Sequence, residues 1–129
     1  MSNKRAGQLI ARIEGHIGCW KQFNYFVSLA RAKKFGPEDE SHFLELKKII
    51  GLDLEMIFAE LEIPSPGREE TAALLGRAPS LGCLGEMGGG DLCDLENAWH
   101  KIYVGWHSVL GRIAVSRRNR PASFFGGRR

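Results

Sequence analysis

Apolar residues recur at alternating steps of three and four along the last long segment of the chain, which is the spacing of one helix face. This seam consists of Leu92, Leu95, Trp99, Ile102, Trp106, Val109 and Ile113. Asp91 follows three glycines and suits a helix N-cap, and Asp94 adds a carboxylate at the positive end of the helix dipole. The pattern predicts a helix over residues 91–115.

Two further amphipathic segments precede this one. In the first, over residues 5–34, the apolar positions cover a wide arc, which is typical of a helix with two neighbours. In the second, apolar residues recur from Phe43 to Leu61, until a proline-containing stretch interrupts the pattern. Between them, Gly36 is expected to take the left-handed conformation and Pro37 to begin the next helix. Such a short turn between two long helices predicts an antiparallel hairpin.

A third region, between residues 64 and 91, differs in character. It contains a short predicted helix over residues 69–76 and a glycine-rich stretch, and its leucines are too numerous for a free linker. The apolar side chains expected to cap one end of the bundle are Leu74, Leu75, Leu81, Leu84 and Met87. The prediction is therefore an all-α fold: an antiparallel helical bundle of three long helices plus a short fourth helix over residues 1–115, then a flexible basic tail over 116–129.

Composition agrees with one folded domain. The chain has 129 residues, of which 43% are hydrophobic, and this is enough for a single core. It contains no apolar run long enough to span a membrane, and its first residues do not resemble a secretory signal. Three cysteines are too few for a disulfide scaffold and fit a reducing compartment. We therefore expect a cytoplasmic protein without a membrane partner.

The net charge of +3 conceals a strong segregation of charge along the chain. Residues 1–35 hold seven basic residues and one acidic residue, whereas residues 36–62 hold two basic and eight acidic residues. Residues 116–129 hold five arginines and no acidic residue. The basic first helix and the acidic second helix are expected to attract each other across the hairpin.

Basic residues of the first helix and the tail are candidates for binding nucleic acid, because they can contact phosphates while phenylalanines stack on bases. The candidate residues are Lys4, Arg5, Arg12, Lys21, Arg31, Lys33, Lys34, Arg117, Arg118, Arg120, Phe124, Phe125, Arg128 and Arg129. Two alternatives stay open for the tail. It serves only as a disordered, solubilising end, or its two phenylalanines dock onto a protein partner.

A polar stripe on the last predicted helix is the candidate for metal chemistry. Glu96, His100, Tyr103 and His107 follow one another at spacings of four, three and four residues. A carboxylate and an imidazole four residues apart can share a metal ion, but the two histidines lie roughly 10 Å apart along the helix. A closed site would need donors from the first two helices, namely Glu14, His16, Cys19, His42 or Glu45. The competing interpretation, polar residues lining a helix seam, predicts no metal site and no cofactor.

The aromatic residues and the helical glycines suggest that the chain binds a partner. Trp20, Trp99 and Trp106 occupy core positions, yet a bundle of this size has limited room for three tryptophans and the neighbouring aromatic rings. Aromatic helix faces therefore suggest a protein partner or self-association. Three helical glycines, Gly7, Gly15 and Gly18, either admit another backbone at close range or are merely tolerated.

The sequence contains no clustered catalytic constellation, which argues against an enzyme. The predicted function is a non-catalytic helical interaction or assembly module, a small subunit or accessory protein of a larger complex, with nucleic acid as a further partner. The alternative is a helical bundle that binds a metal or cofactor through Glu96, His100 and His107.

Overall fold

The computed structural model describes residues 3–118, which form five helices and no strand. The helices are α1 (Asn3–Ala32), α2 (Pro37–Phe58), α3 (Arg68–Gly76), α4 (Leu81–Gly85) and α5 (Gly89–Arg118). The predicted all-α class is confirmed, and α4 is an element that the sequence pattern did not reveal. No helix within residues 3–118 is long and apolar enough to cross a membrane.

The turn between α1 and α2 differs from its prediction in one respect. Lys33, not Gly36, has a positive φ, of 57°. The backbone N–H groups of Lys33 and Lys34 donate to the carbonyl oxygens of Ala30 and Leu29, which forms a Schellman motif with Lys33 at its left-handed position. Gly36 has φ −123° and caps α2, and its N–H donates to Asp39 Oδ2 at 2.9 Å. Helix α2 begins at Pro37, as predicted.

Helix α1 is the central element of the bundle and packs against α2, α4 and α5. On α5, Glu96 contacts Arg31, and Trp99 Nε1 donates to the Trp20 carbonyl oxygen at 2.8 Å. Residue numbers therefore rise along α5 as they fall along α1, so the two helices are antiparallel. Ion pairs from Arg5 to Glu60 and from Arg12 to Asp53 establish the same relation between α1 and the α2 segment.

The core joins aromatic rings from all three long helices. Trp20, Phe23, Phe43 and Trp106 are fully buried. The Phe23 ring lies 5.4 Å from the Trp20 ring and 5.5 Å from the Phe43 ring, between centroids. The predicted seam of α5 is buried except at Trp99 and Ile113, which are half-buried. The three long helices thus enclose the largest rings within one chain.

Helices α3 and α4 cover one side of the bundle with three buried leucines, Leu74 from α3 and Leu81 and Leu84 from α4. Leu75 and Met87, from the same predicted cap, are half-buried. A carboxylate from α2 attaches α4, because Glu40 accepts hydrogen bonds from the backbone N–H groups of Leu81 at 2.7 Å and Gly82 at 3.2 Å. A short segment with little propensity of its own is therefore stabilised by a tertiary contact.

Helix α5 begins earlier than predicted. Its first residue is Gly89, and the Leu92 N–H donates to the Gly88 carbonyl oxygen at 3.0 Å. Asp91 consequently lies in the first helical turn and is not the N-cap. Its carboxylate still faces the positive end of the helix dipole. At the other end the helix continues to Arg118, three residues past the predicted limit, and the remaining predicted tail residues, 119–129, lie outside the described range.

Gly105 of α5 lies against the segment that joins α2 and α3. Pro66 is buried, and a Cβ atom added to Gly105 would lie 2.7 Å from Pro66 Cγ and 3.1 Å from Pro66 Cδ. Such distances are too short for non-bonded carbon atoms, and a proline ring has little freedom to move aside. Gly105 therefore allows Pro66 to pack directly against the backbone of α5, which a side chain at this position would prevent.

Replacing Gly105 with alanine is expected to lower the free energy of unfolding by about 1–3 kcal/mol, the usual range for an overpacked core site. Gly111→Ala on the same helix is the matched control, because an added Cβ there meets nothing within 4 Å. This control should raise stability by about 0.5–1 kcal/mol through helix propensity. Urea unfolding followed by circular dichroism measures both changes, and a shift of both variants in the same direction would contradict the packing assignment.

Candidate docking surface

Three of the basic residues predicted on α1 are engaged in contacts between helices. Arg5 pairs with Glu60, and Arg31 pairs with Glu96 of α5. Arg12 Nη1 lies 3.8 Å from an oxygen of Asp53 and 3.3 Å from the sulfur of Met56. These contacts include the attraction expected between the basic α1 and the acidic α2 segment.

The four remaining lysines predicted on α1 do not form a stripe. Lys4, Lys21, Lys33 and Lys34 are exposed and make no ion pair with another residue in the range 3–118. Lys4 lies in the first turn, whereas Lys33 and Lys34 follow the last residue, and the two ends of α1 are about 45 Å apart at 1.5 Å per residue. These lysines are thus spread over both ends and the middle of α1.

The candidate tail residues are only partly covered by the structure. Arg117 and Arg118 belong to the last turn of α5. The other tail candidates, Arg120, Phe124, Phe125, Arg128 and Arg129, lie outside the described residues.

The polar stripe of α5 forms an aromatic ladder. The Tyr103 ring stacks on the Trp99 ring at 4.8 Å between centroids, with 18° between their planes, and His107 meets Tyr103 edge-on at 4.7 Å. His100 and His107 are exposed, and Glu96 is paired with Arg31. Among residues 3–118, no group of three or more His, Cys, Asp or Glu side chains could hold a metal ion.

His16 is a buried polar residue whose role the sequence pattern did not identify. Its side chain has no exposed area, and its Nε2 accepts a hydrogen bond from Trp20 Nε1–H at 3.1 Å. The imidazole proton is therefore assigned to Nδ1, which lies 3.4 Å from Asp53 Oδ2. Burial lowers the pKa of His16, and the negative charge of Asp53 only partly opposes this shift. One feature of the sequence places His16 on the core face. It lies three residues after Ile13 and four before Trp20, which is the spacing of one helix face.

A groove of about 770 Å³ lies above this pair, between α1 and α2. It is lined by Gln8, Leu9, Ala11, Arg12, Gly15, Cys19, Asp53 and Glu60. Burial and the Asp53 charge raise the pKa of Cys19, which keeps the thiol protonated. A nucleophilic cysteine needs the reverse: a lowered thiol pKa beside a histidine that accepts the proton. The groove therefore lacks the electrostatics of a cysteine nucleophile.

Three of the four large exposed apolar side chains of α2 lie on one outer stripe, and the fourth, Leu44, falls outside its spacing. Ile49, Leu52 and Met56 are spaced by three and four residues and are 43%, 69% and 50% exposed. Met56 borders the groove through its contact with Arg12, and the α1 wall of the groove contains Ala11 and Gly15. We call these five residues, Ala11, Gly15, Ile49, Leu52 and Met56, the docking surface.

The tryptophans of the predicted aromatic faces pack within the chain. Trp20 and Trp106 are fully buried within the chain, and Trp99 donates its indole N–H to α1. Their side chains are therefore occupied by intramolecular packing. The sequence missed the α2 stripe because its residues fall outside the buried seam, where exposure depends on which side of α2 the other helices cover.

No protein-family model, curated protein or solved structure matches this chain. The function must consequently be inferred from the arrangement of its own residues.

The buried His16 gives the protein a defined dependence on pH. Because the folded state binds the imidazole proton more weakly than the unfolded chain does, the free energy of unfolding should fall as the pH decreases below about 6.5. Two-dimensional NMR of the histidine rings should give His16 a pKa below that value and a proton on Nδ1. A titration of His16 at or above the ordinary value would contradict the assignment.

A pair of variants separates His16 from the other titrating groups. His16→Gln removes the titrating group but keeps an oxygen that can accept the Trp20 N–H, and it should flatten the stability profile between pH 7 and 5. His42→Gln, at an exposed site on α2, should leave the profile unchanged. The readout is urea unfolding at a series of pH values.

Proposed function

We propose that this chain is a non-catalytic interaction module, a small subunit or accessory protein that binds a partner protein through its docking surface. The observation that carries the proposal is the exposed stripe of Ile49, Leu52 and Met56 on α2. Single exposed apolar residues are ordinary, but three on one stripe beside a groove form a continuous patch. Burying that patch against a partner would remove apolar area from water and so favour association.

The shape of the docking surface favours a helix as the part of the partner that binds. A Cβ atom added to Gly15 meets nothing within 4 Å, so this stretch of α1 has no neighbour inside the chain that requires a glycine. A glycine within a helix costs about 0.5–1 kcal/mol relative to alanine. A close approach by a partner's helix would explain why Gly15 and Ala11 are small. Ile49, Leu52 and Met56 of α2 would then supply apolar contacts beside the groove.

Charge contributes little to the choice of partner at the docking surface. Glu45, Glu55 and Glu60 lie exposed along α2 and the residues that follow it, and Asp53 lines the groove. Arg68 pairs with Glu55, Arg5 with Glu60 and Arg12 with Asp53, so the apolar face of an amphipathic helix fits this surface best. A second copy of this chain is the competing occupant.

Other features agree with binding rather than catalysis. Both ring nitrogens of His16 face side chains of the protein, and Cys19 has a raised pKa. The alternative function, a metal- or cofactor-binding bundle, has little support from Glu96, His100 and His107, because Glu96 is paired with Arg31 and both histidines project to solvent. We place the module in the cytoplasm, where its three free cysteines would stay reduced.

Leu52→Glu tests the docking surface directly, since it introduces a charge at the most exposed position of the stripe. The partner captured from the native source by the wild-type chain would be identified, purified and titrated against each variant. We expect the dissociation constant to rise at least about tenfold, because a buried leucine contributes about 1.5–3 kcal/mol and a tenfold change is 1.4 kcal/mol.

Val104→Glu is the matched control, because Val104 is an apolar residue of α5 that is 49% exposed and lies outside the docking surface. It should bind as the wild type does, and both variants should keep the wild-type helical spectrum and melting temperature. If no interaction, with a purified partner or with a second copy in sedimentation equilibrium, depends on Leu52, the proposed function fails.

A further inference from the structure

His16 lies where α1 meets both α2 and α5, and its imidazole links the aromatic core to the groove. The Trp20 ring lies 6.0 Å from it and the Trp106 ring 4.9 Å, between centroids, and both meet it edge-on. Asp53 of α2, which lines the groove, places Oδ2 3.4 Å from Nδ1 of the imidazole. The side chain itself has no exposed area. A polar ring is thus buried directly beneath the groove.

Only the neutral imidazole fits this arrangement. Nε2 accepts the Trp20 indole N–H at 3.1 Å, so a second proton on the ring would occupy the nitrogen that faces this donor. Two N–H groups would then point at each other. Of the two buried indole N–H groups around His16, only that of Trp20 has an acceptor among residues 3–118, since Trp106 Nε1 has none. Protonation of His16 would remove that single acceptor.

One carboxylate faces the imidazole, and it is shared. Among the described residues, Asp53 of α2 is the charged group that raises the pKa of the imidazole, and Arg12 Nη1 lies 3.8 Å from its other oxygen. Helix α5 presents the Trp106 ring, while its titratable residues nearby, Tyr103 and His107, contact each other edge-on. An imidazolium buried here would therefore be only partly neutralised.

The groove offers the shortest route by which an imidazolium could reach water. Its α1 wall includes Arg12, Gly15 and Cys19, all within four residues of His16 along the same helix. Gly15 contributes no side chain to cover the imidazole. The facing wall includes Asp53, whose side chain is already 21% exposed. Separation of α1 from α2 at this point would admit water to the imidazole while keeping it close to the carboxylate.

We propose that protonation of His16 opens the groove between α1 and α2, so that the closed arrangement holds at neutral pH and an open one forms in acid. Burial lowers the pKa of His16 in the closed state, whereas contact with water returns it toward the ordinary value of about 6.5. The open state therefore binds the proton more tightly. Each pH unit below about 6.5 then raises the ratio of open to closed molecules by up to about tenfold.

Opening of the groove would also change the docking surface, which combines two residues of α1 with three of α2. A partner that contacts both helices would lose half of its contacts when the helices separate, so it would be released in acid. This consequence rests on the proposed function. The opening itself does not, and it can be measured on the free chain.

Thiol labelling of the free chain with N-ethylmaleimide, followed by mass spectrometry at pH 7.5 and 5.5, tests the proposal. Cys19 lines the groove, and the exposed Cys93 of α5 is the internal reference. Because thiolates react and both thiolate fractions fall by the same factor below the thiol pKa values, the ratio of the two rates reports access to the groove. The ratio of the Cys19 rate to the Cys93 rate should rise at least about threefold on acidification, up to the limit of about tenfold set by proton linkage. The helical circular dichroism spectrum should be the same at both pH values.

His16→Gln keeps an oxygen for the Trp20 N–H but cannot be protonated, so its rate ratio should stay constant. His42→Gln, at an exposed site on α2, is the matched control and should keep the wild-type response. If His16→Gln does not fold, NMR of the wild type takes its place: the Trp20 indole N–H signal should shift with the same midpoint as the rate ratio. A constant ratio in the wild type, an equal rise in folded His16→Gln, different midpoints, or loss of the helical spectrum at pH 5.5 would overturn the proposal.

The partner identified through the docking surface gives a separate result. Its dissociation constant should rise between pH 7.5 and 5.5 with the wild-type chain and less with His16→Gln. Equal changes with the two chains would overturn release through His16. If the rate ratio rises but no interaction depends on Leu52, the proposed function fails and the opening of the groove stands.

Discussion

The structure depends on the burial of two sides of one helix. Helix α1 carries apolar side chains over so wide an arc that a single neighbour could not cover them, and α2 and α5 contact it from different directions. Trp20 lies where these contacts meet, with the His16 and Phe23 rings against it. The ion pairs of Arg5, Arg12 and Arg31 lie at the edges of this core and select which helix faces which, while apolar burial supplies most of the stability.

The sequence predicts the long helices well because their seams repeat with the helical period, and that period survives whatever the helices pack against. It predicts the first and last residues of the helices less well. Asp91 looks like a cap, yet the carbonyl oxygen of Gly88 already accepts the first hydrogen bond of α5. Gly36 looks like the left-handed residue, yet the chain closes the Schellman motif three residues earlier, at Lys33, where contacts of the hairpin outweigh the intrinsic cost for a side chain. Helix α4 has a local cap, since Ser80 Oγ accepts a hydrogen bond from the Cys83 N–H, but Glu40, distant in the sequence, satisfies the N–H groups of Leu81 and Gly82.

The candidate surfaces illustrate the same limit. Segment charges are visible in the sequence, but only the antiparallel packing of α1 and α5 shows that Lys4 and Arg112 share one end of the bundle. The exposed stripe of α2 could not be recognised either, because helix periodicity locates the buried face and leaves open which outer residues a neighbour covers. In the sequence His16 is only a candidate donor, whereas the structure shows that its Nε2 accepts from Trp20 and that its Nδ1 lies 3.4 Å from Asp53. In each case the missing information is a contact between distant parts of the chain.

The close fit of Pro66 against Gly105 has a geometric consequence for the whole of α5. Side chains at a helix interface can change rotamer and so accommodate a small shift of the helix. A proline ring seated on a bare backbone position removes that freedom. The linker after α2 therefore helps to fix the rotation of α5 about its own axis, together with the contacts that Trp99 and Glu96 make with α1.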